Sequence, residues 1–419
     1  MAIQFCVPPA LRSALPVRRR LASVAAGLCV ALALAGCASL APRDALPEQL
    51  ADSASLGLSG PVRLWGDVAG EKANAIVRTA VTQMRQDLAA NGRRSKPAAN
   101  YLAISGGGED GAFGAGLLVG WSERGTRPDF DLVTGVSAGA LIAPFAFLGR
   151  ARDAELSQVF THIKQRDILK MNIVEGLLGG PALADSAPLA SLLEFYIDDE
   201  FLRDIARERD KGRILLIGTT NLDAQRPVLW DMGLIAKSRD PRAPALFRRV
   251  LLASASIPGV FPPVRIQVEA DGRSYDEIHV DGGVTQQVFL APAAFAFRDM
   301  DRLLGRAVTR RLYVIRNGKV TPEWDAIDEK VLPVAQRSIL TLTKNQSIGD
   351  IYRIYLMTRR DNIDFNLATI PASFTDKAPE PFDQQYMQKL YQVGYELGRK
   401  GYPWAKEPPG LTARREASR

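Results

Sequence analysis

Cysteine and histidine are scarce in this chain of 419 residues, which has three cysteines and two histidines. A zinc site of four cysteines is therefore impossible within one chain, and a site of two cysteines and two histidines would require both histidines. Low-complexity tracts and internal repeats are absent from the sequence, and 47% of the residues are hydrophobic. Disorder, collagen and coiled coil are thereby excluded as descriptions of the whole chain. The length allows two or three domains, or one large α/β domain with extensions.

The first 36 residues have the layout of a bacterial lipoprotein signal peptide. Four arginines within residues 12–20 precede an uncharged run rich in Ala, Leu and Val over residues 21–35. The run ends at Leu34-Ala35-Gly36-Cys37, which resembles the lipobox, so we expect cleavage before Cys37 and acylation of its thiol. In a Gram-negative cell, Ala38 favours the outer membrane, facing the periplasm. An uncleaved membrane anchor is the alternative, since residues 21–42 carry no charge and could just span a bilayer.

Processing changes what the charge of the chain indicates. The formal charge of +7 on the full chain would favour nucleic acid or an anionic membrane as partner. Removal of the four arginines lowers it to +3 over 383 residues and leaves Cys37 as the only cysteine. We therefore expect no nucleic-acid partner, and we expect contact with a membrane of the bacterial cell envelope through the lipid anchor.

Short apolar strands alternate with helical patterns along the mature chain, which is typical of a mainly parallel sheet covered by helices. We therefore predict an α/β fold with three layers, α/β/α, and a main domain over residues 98–320. Residues 37–97 are predicted to form a tether up to about residue 70 and then a helix. Residues 321–419 are predicted to form a helical C-terminal extension with a last helix near 382–399. The predicted strands are residues 101–104, 131–134, 213–220, 274–280 and 311–315.

The segment Gly135-Val136-Ser137-Ala138-Gly139 matches the pattern G-x-S-x-G. A match alone is weak evidence, but here a predicted strand precedes the motif and an apolar helix over residues 138–148 follows it. This is the strand-turn-helix setting in which such a serine becomes an exposed nucleophile. Gly135 and Gly139 lack Cβ atoms where the turn is tight, so the backbone can hold Ser137 in a strained conformation.

Two further glycine-rich turns follow predicted strands. The segment from Gly106 to Gly111, of sequence GGGEDG, opens a predicted helix and offers unpaired N–H groups and the positive helix end to an anion. That anion is either a phosphate, as a G-x-G-x-x-G match also indicates, or the oxyanion of an acyl-transfer intermediate. Asp281-Gly282-Gly283 ends another predicted strand. Such an Asp either reaches a nucleophile on a neighbouring strand or has a structural role in the turn.

In this order, the three segments resemble the patatin-like phospholipase family over residues 101–289. The segment 253–263, of sequence ASASIPGVFPP, also resembles a family motif. The resemblance implies a patatin-like fold and a serine lipid acyl hydrolase of the phospholipase A or esterase type that needs no cofactor or metal. Its catalytic dyad would be Ser137 as nucleophile and Asp281 as general base, next to the D-G-G glycines Gly282 and Gly283. Backbone N–H groups would line an oxyanion hole at Gly106, Gly107, Gly108 and Gly111.

The positions of the histidines agree with a dyad that lacks histidine. Only His162 and His279 follow Ser137, whereas an α/β-hydrolase triad would normally take a histidine from the C-terminal part of the chain. His162 is expected on the surface or in packing. His279 lies two residues before Asp281 on a predicted strand, so it either acts with that carboxylate or is a strand residue with a satisfied side chain.

Two departures from the family pattern affect the choice of substrate. Glu109 and Asp110 lie where many members have a basic residue, and they would oppose an anionic head group unless they point away. Gln287-Val288 replaces a common Asn-Pro. The substrate is expected to be a phospholipid or another acyl ester. A general carboxylesterase, lysophospholipase or transacylase with the same dyad stays an alternative, as does a non-catalytic lipid-binding envelope lipoprotein.

Overall fold

The computed structural model describes residues 43–92, 98–172, 180–305 and 307–411. The chain divides into two units, Met1–Ala45 and Leu46–Arg419, and the strands and helices of the described ranges belong to the second. The predicted signal peptide and Cys37 lie outside the described residues. Among the helices of these ranges, none combines the length and the apolar character that crossing a bilayer requires.

Eleven strands lie in the described ranges, and nine of them form one large sheet. The strands are β1 (Arg63–Trp65), β2 (Ala99–Ile104), β3 (Leu132–Val136), β4 (Lys170–Met171), β5 (Ala184–Asp185), β6 (Ile214–Asn221), β7 (Arg226–Asp231), β8 (Val264–Ala270), β9 (Arg273–Asp281), β10 (Arg310–Arg316) and β11 (Ile363–Thr369). The strands β4 and β5 form a separate two-stranded sheet.

The large sheet has the order β1-β7-β6-β3-β2-β10-β11, and β9 pairs with both β6 and β8. The strands β6, β3, β2, β10 and β11 run parallel to one another. The strands β1, β7, β8 and β9 are joined by antiparallel pairs. Parallel strands bring their C-terminal ends to one edge of the sheet, here called the carboxyl edge, where ligands bind in open α/β sheets. The predicted α/β fold with a mainly parallel sheet is confirmed.

Helices cover both faces of this sheet. The α-helices of the described ranges are α1 (Glu71–Ala90), α2 (Gly111–Glu123), α3 (Ala138–Leu148), α4 (Asp153–Thr161), α5 (Gln165–Ile168), α6 (Ala187–Tyr196), α7 (Asp199–Asp210), α8 (Met232–Lys237), α9 (Ala243–Ser254), α10 (Asp299–Leu304), α11 (Val331–Asp361) and α12 (Gln384–Lys400). Helices α1 and α11 contribute to the apolar core on one face, and α2, α3, α9 and α12 contribute to the core on the other. Successive strand residues such as Leu102 and Ala103 alternate between the two cores.

The segment before α1 is part of the folded unit. Strand β1 pairs antiparallel with β7, and Ala54 and Leu56 are buried. The prediction of a tether up to about residue 70 is therefore wrong for residues 54–65. A strand of three residues is too short to display the alternation by which a strand is recognised in a sequence.

The C-terminal region contributes a strand as well as helices. Strand β11 pairs in parallel with β10 along its whole length, and Ile363, Phe365 and Leu367 are buried. The prediction of a helical extension omits this strand, because its alternation lasts for seven residues between two longer helical patterns. Those patterns correspond to α11 and α12. The domain boundaries at residues 97 and 320 stay predictions.

Candidate active site

Ser137 occupies the sharp turn between β3 and α3 at the carboxyl edge of the sheet. Its φ of 55° and ψ of −127° are uncommon for a residue with a Cβ atom, and this strain is typical of a nucleophile elbow. The two motif glycines allow the turn to close. A Cβ atom on Gly135 would lie 2.3 Å from the carbonyl oxygen of Gly139, and a Cβ atom on Gly139 would lie 2.4 Å from that of Ile104.

Ser254 supports the elbow from the end of α9. Its hydroxyl accepts a hydrogen bond from the backbone N–H of Ser137 at 3.1 Å and donates to the carbonyl oxygen of Gly218 at 2.7 Å. The strained turn is thus tied to β6 through a fully buried side chain. Ser254 belongs to the segment 253–263 that resembles a family motif, but its contact with Ser137 depends on the tertiary structure.

Asp281 reaches Ser137 because β6 changes its neighbour along its length. The first part of β6 pairs with β3 up to the pair Val136 and Gly218. The next three residues pair with the end of β9, where Thr219 lies opposite Asp281. The end of β9 therefore follows directly beyond the end of β3, which brings the Asp281 carboxylate close enough to the Ser137 side chain for the serine to lower its pKa.

Burial raises the pKa of Asp281 to about 6, although the nearby Ser137 side chain and the hydrogen bond from the N–H of Gly283 act in the opposite direction. The Gly283 N–H donates to Oδ1 of Asp281 at 2.7 Å. A Cβ atom on Gly282 would lie 2.4 Å from the carbonyl oxygen of Gly218, so the D-G-G turn approaches β6 closely. A carboxylate whose pKa lies near neutrality is well suited to accept and return a proton.

The glycine-rich loop lies beside Ser137, since a Cβ atom on Gly106 would approach the Ser137 Cβ to 3.0 Å. Gln287 connects this loop to the D-G-G turn. Its carbonyl oxygen accepts from the Gly106 N–H at 3.1 Å, and its side-chain amide donates to the Gly283 carbonyl at 2.7 Å. The backbone N–H of Gln287 donates to Asp350 of α11 at 2.7 Å. Gln287, one of the two residues that replace the family's Asn-Pro, thus links the glycine-rich loop, the D-G-G turn and α11.

Asn317, at the end of β10, holds the other side of the loop. Its side-chain amide donates to the Ser105 carbonyl at 2.9 Å, and its side-chain oxygen accepts from the Gly114 N–H at 3.1 Å. Its backbone N–H donates to the Ser105 hydroxyl at 2.9 Å. A Cβ atom on Gly107 would lie 2.3 Å from the Asn317 carbonyl oxygen. In the sequence, Asn317 signals only the end of a strand.

The four predicted oxyanion-hole glycines differ in the use of their N–H groups. The Gly106 N–H is bonded to Gln287, and the Gly111 N–H donates to the carbonyl oxygen of Gly108. Gly107 precedes the short 3-10 helix Gly108–Asp110, and Gly108 is its first residue. N–H groups at the start of a helix have no partner within it, so Gly107 and Gly108 offer donors at this turn.

The two acidic side chains of the loop are partly neutralised by their surroundings. The Tyr386 hydroxyl donates to Asp110 at 2.6 Å. Burial raises the pKa of Asp110 to about 6, while this hydrogen bond and the positive charge of Arg316 oppose the rise. Burial also raises the pKa of Glu109. Arg316 is buried at the end of β10, so a cation is present near the loop although the loop itself contains none.

Neither Ser137 nor Asp281 is a hydrogen-bond partner of a histidine among the described residues. His279 is buried, with Nδ1 2.9 Å from the Thr219 hydroxyl and Nε2 3.0 Å from the Glu277 carboxylate. Burial lowers the pKa of His279, although the adjacent Glu277 acts in the opposite direction. His162 is exposed at the end of α4, where Nδ1 lies 2.8 Å from the Thr161 hydroxyl. The bonds of His279 match the expectation of a strand residue with a satisfied side chain.

An apolar pocket opens beside Ser137, between α3, α4, α6 and α9. The space not filled by protein atoms measures about 820 Å3, part of it open to solvent. Apart from Ser137 and Tyr196, the described residues that line it are glycine or have apolar side chains. The larger side chains include Leu141, Phe145, Phe160, Leu193, Phe261 and Phe382. A pocket of this size and composition is suited to an aliphatic chain.

Residues 102–294 match the family model of the patatin-like phospholipases. This part of the chain is therefore a patatin-like phospholipase domain, as the sequence motifs predicted. No curated protein matches the sequence significantly.

Several solved structures are similar to this chain. VipD from Legionella pneumophila is 14% identical, with 74% of this chain and 68% of VipD covered at a TM-score of 0.33. A human GIVD cytosolic phospholipase A2 is 10% identical, with coverages of 81% and 63% and a TM-score of 0.33. The type III effector protein ExoU is 16% identical, with coverages of 73% and 53% and a TM-score of 0.18.

Proposed function

We propose that this protein is a serine lipid acyl hydrolase of the phospholipase A or esterase type that uses Ser137 and Asp281 as a catalytic dyad. The proximity of these two side chains, one at the strained turn after β3 and the other at the end of β9, beside an apolar pocket is the observation that carries the proposal. The patatin-like phospholipase domain supports a lipid acyl hydrolase. A pKa of about 6 for Asp281 leaves this base ionised at neutral pH.

The reaction proceeds through an acyl-enzyme. Asp281 accepts the hydroxyl proton as Oγ of Ser137 attacks the ester carbonyl, and the N–H groups of Gly107 and Gly108 stabilise the oxyanion that forms. When the tetrahedral intermediate collapses, the ester C–O bond breaks and the proton passes from Asp281 to the leaving alcohol. Water then attacks the acyl-enzyme, Asp281 accepts a proton from it, and the proton returns to Ser137 as the fatty acid leaves.

The apolar pocket indicates which part of the substrate lies where. The acyl chain enters the pocket between α3, α4, α6 and α9, because the lining offers it an apolar environment. The polar head group stays outside the pocket, near the glycine-rich loop. There the positive charge of the buried Arg316 opposes the negative charge of Asp110, which reduces the repulsion of an anionic group.

A fluorophosphonate probe tests the nucleophile. We expect the wild-type protein to be labelled, Ser137→Ala to stay unlabelled, and Asp281→Asn to lose ester hydrolysis by about 1000-fold or more while it remains folded. The matched control is Asp276→Asn, on the same strand but partly exposed, which should keep activity within about twofold. A wild-type protein that neither reacts with the probe nor hydrolyses acyl esters would support the non-catalytic lipid-binding alternative.

Substrate comparison distinguishes the remaining enzyme classes. Release of fatty acid from diacyl phospholipids supports a phospholipase A. Activity confined to monoacyl lipids supports a lysophospholipase, and activity confined to short soluble esters supports a carboxylesterase. Transfer of the acyl group to an added alcohol in preference to water supports a transacylase.

We further propose that acylation of Cys37 anchors the protein to a membrane of the bacterial cell envelope, with the outer membrane facing the periplasm as the expected location. The lipobox-like sequence supports this proposal. Cys37→Ser is expected to leave an unprocessed precursor that incorporates no radiolabelled palmitate. Palmitate that still enters this variant would exclude Cys37 as the acylated residue, and Cys29→Ser serves as the control that keeps its label.

A further inference from the structure

Exposed apolar side chains are concentrated in one short part of the chain. Eight of the sixteen exposed large hydrophobic residues in the described part of the chain lie between positions 324 and 342. Val331 and Trp324 are 84% and 82% exposed, more than the other fourteen. We call residues 319–344, the loop before α11 and the first half of that helix, the projecting arm. Its exposed apolar residues are Trp324, Ile327, Val331, Leu332, Val334, Ile339, Leu340 and Leu342.

The projecting arm extends beyond the carboxyl edge of the sheet. Asp350 of α11 accepts from the Gln287 N–H, and the Gln287 carbonyl accepts from Gly106, so Asp350 lies level with the glycine-rich loop. From Asp350, α11 descends to Asp361, near the start of β11 at the opposite edge. The preceding 19 residues of α11 therefore continue past the catalytic residues for about 28 Å at 1.5 Å per residue.

The basic side chains at the start and in the first half of α11 lie along one line of the helix. Residues 331–349 include no Asp or Glu, and Lys330, Arg337 and Lys344 recur every seven residues. The preceding loop pairs with them, since Lys344 lies 3.0 Å from Glu323 and Lys330 lies 3.1 Å from Asp328. Four basic and four acidic side chains make residues 319–344 formally neutral.

The apolar side chains, by contrast, surround most of the helix. At 100° per residue, the six exposed apolar positions from 331 to 342 cover about 240° of its circumference. A helix in a protein interface buries one apolar stripe, whereas a helix that enters the boundary of a lipid bilayer places a broad apolar face among the acyl chains. The breadth of this face, its neutral charge and its place beyond the active site all fit a lipid surface.

We propose that the projecting arm docks the protein on the surface of a lipid bilayer, with its apolar side chains inserted among the lipid head groups and upper acyl chains. The carboxyl edge of the sheet, with Ser137, then faces the same surface. This inference rests on the proposed function, because a lipid ester substrate resides in that surface. Since the arm is formally neutral, apolar insertion drives the binding, which is expected to be nearly insensitive to salt and to lipid charge.

Trp324 provides a local probe of this docking. Three of the other four tryptophans, Trp65, Trp121 and Trp230, are buried. In the full chain with Ser137→Ala, we expect vesicles of phosphatidylcholine with brominated acyl chains to quench Trp324 fluorescence. The quenching should persist when salt is raised from about 0.1 to about 0.5 M. Trp324→Phe should remove this quenching. Membrane binding through another part of the chain would leave Trp324 unquenched.

Substitutions on the arm test its contribution. The triple variant Leu332→Gln, Ile339→Gln, Leu342→Gln is expected to need a vesicle concentration at least about tenfold higher for half-maximal quenching, because it buries less apolar surface in the bilayer. Leu356→Gln is the matched control, because Leu356 is a leucine of the same helix that is 65% exposed but lies outside the arm. In the catalytic chain, the triple variant should keep hydrolysis of a soluble short-chain ester and lose hydrolysis of vesicle lipids.

Three outcomes would overturn the docking proposal. They are no quenching of Trp324 at any vesicle concentration, equal quenching in the triple variant and the parent, and a parent dimer that the triple variant dissociates while vesicles leave Trp324 unquenched. The last outcome would assign the arm to a second copy of the chain. The quenching uses a protein with Ser137→Ala, so it is independent of turnover. Quenching without hydrolysis of any ester would support the docking and reject the proposed function.

Discussion

The residue that best explains the chemistry of the site is Asp281, a buried carboxylate with few neighbouring groups that stabilise its charge. Burial raises its pKa to about 6, while the nearby Ser137 side chain and the hydrogen bond from the Gly283 N–H lower it. The protonated form cannot accept the Ser137 proton, so activity depends on ionisation. A base with this pKa is largely ionised at neutral pH and still returns its proton readily to a leaving alkoxide.

We expect kcat/KM for a soluble ester to rise with pH along a single ionisation with an apparent pKa of about 6, and to level off above pH 7. Measurement between about pH 4.5 and pH 8 with a short-chain ester checks this, because a soluble substrate removes any effect of pH on lipid binding. The rate of fluorophosphonate labelling should follow the same curve. A profile that is flat above pH 4.5 would contradict the assignment of Asp281 as the base.

Stability supplies a control that does not depend on catalysis. Because the folded-state pKa lies above the unfolded value of 3.8, the folded state binds this proton more tightly, and ionisation of Asp281 costs folding free energy. Asp281→Asn should therefore raise the free energy of unfolding by about 1–3 kcal/mol above pH 6. The difference from wild type should shrink as pH falls from 6 to 4 and vanish below that, which urea titration at several pH values measures.

At the level of elements, the contact between α2 and α12 positions the glycine-rich loop. Helix α2 begins directly after this loop. Helix α12 packs so closely against α2 that glycines of each helix contact backbone atoms of the other. Cβ atoms on Gly116 and Gly120 would lie 2.1 and 2.0 Å from the carbonyl oxygens of Tyr391 and Tyr395. A Cβ on Gly394 would lie 2.2 Å from that of Phe113. The C-terminal helix α12 thus fixes the position of α2, and with it the position of the glycine-rich loop that precedes α2.

Gly116→Ala should force the two helices apart and lower the free energy of unfolding by about 2–4 kcal/mol, because backbone atoms have no space to yield. The matched control is Gly349→Ala in α11, where an added Cβ meets no atom within 4 Å. That substitution should raise stability by up to about 1 kcal/mol through helix propensity. Thermal unfolding of both variants checks the pair, and equal effects of the two substitutions would contradict the close packing of α2 and α12.

For the whole molecule, the sheet joins segments from both ends of the described chain. Strand β1, near residue 63, and strand β11, near residue 363, form its opposite edges. Ser137 follows the central strand β3, and Asp281 ends β9, which pairs with the central strand β6, so the C-terminal region completes the sheet and apolar core that hold the proposed dyad. Loss of packing at β11 should consequently affect the folding of the catalytic part.

Phe365→Ala, at a side chain 4% exposed in β11, should lower the free energy of unfolding by about 3–5 kcal/mol. Activity and helical content should be lost in one transition during heating, since the strand belongs to the same sheet as the active site. Phe195→Ala, at a side chain 76% exposed, is the matched control and should change stability by less than about 0.5 kcal/mol. Separate transitions for structure and activity in Phe365→Ala would indicate that β11 is an independent unit.

The sequence by itself determined the motifs and the class of fold. Gly135 to Gly139, the glycine-rich loop and the D-G-G turn each follow a strand of alternating or continuous apolar residues, and local patterns of this kind depend on neighbours in the chain. The family and the mainly parallel sheet could therefore be predicted. Short elements could not: β1 and β11 are stabilised by their partners in the sheet more than by their own patterns.

Only the tertiary structure decided how these motifs meet. Asp281 reaches Ser137 because β6 pairs first with β3 and then with β9, and strand pairing between distant segments leaves no local signal. The same holds for Gln287 and Asn317, whose hydrogen bonds to the glycine-rich loop connect residues far apart in the chain. Exposure is also a property of the folded molecule. The apolar residues of the projecting arm look like core residues in the sequence, and only the packing of α11 leaves them in solvent.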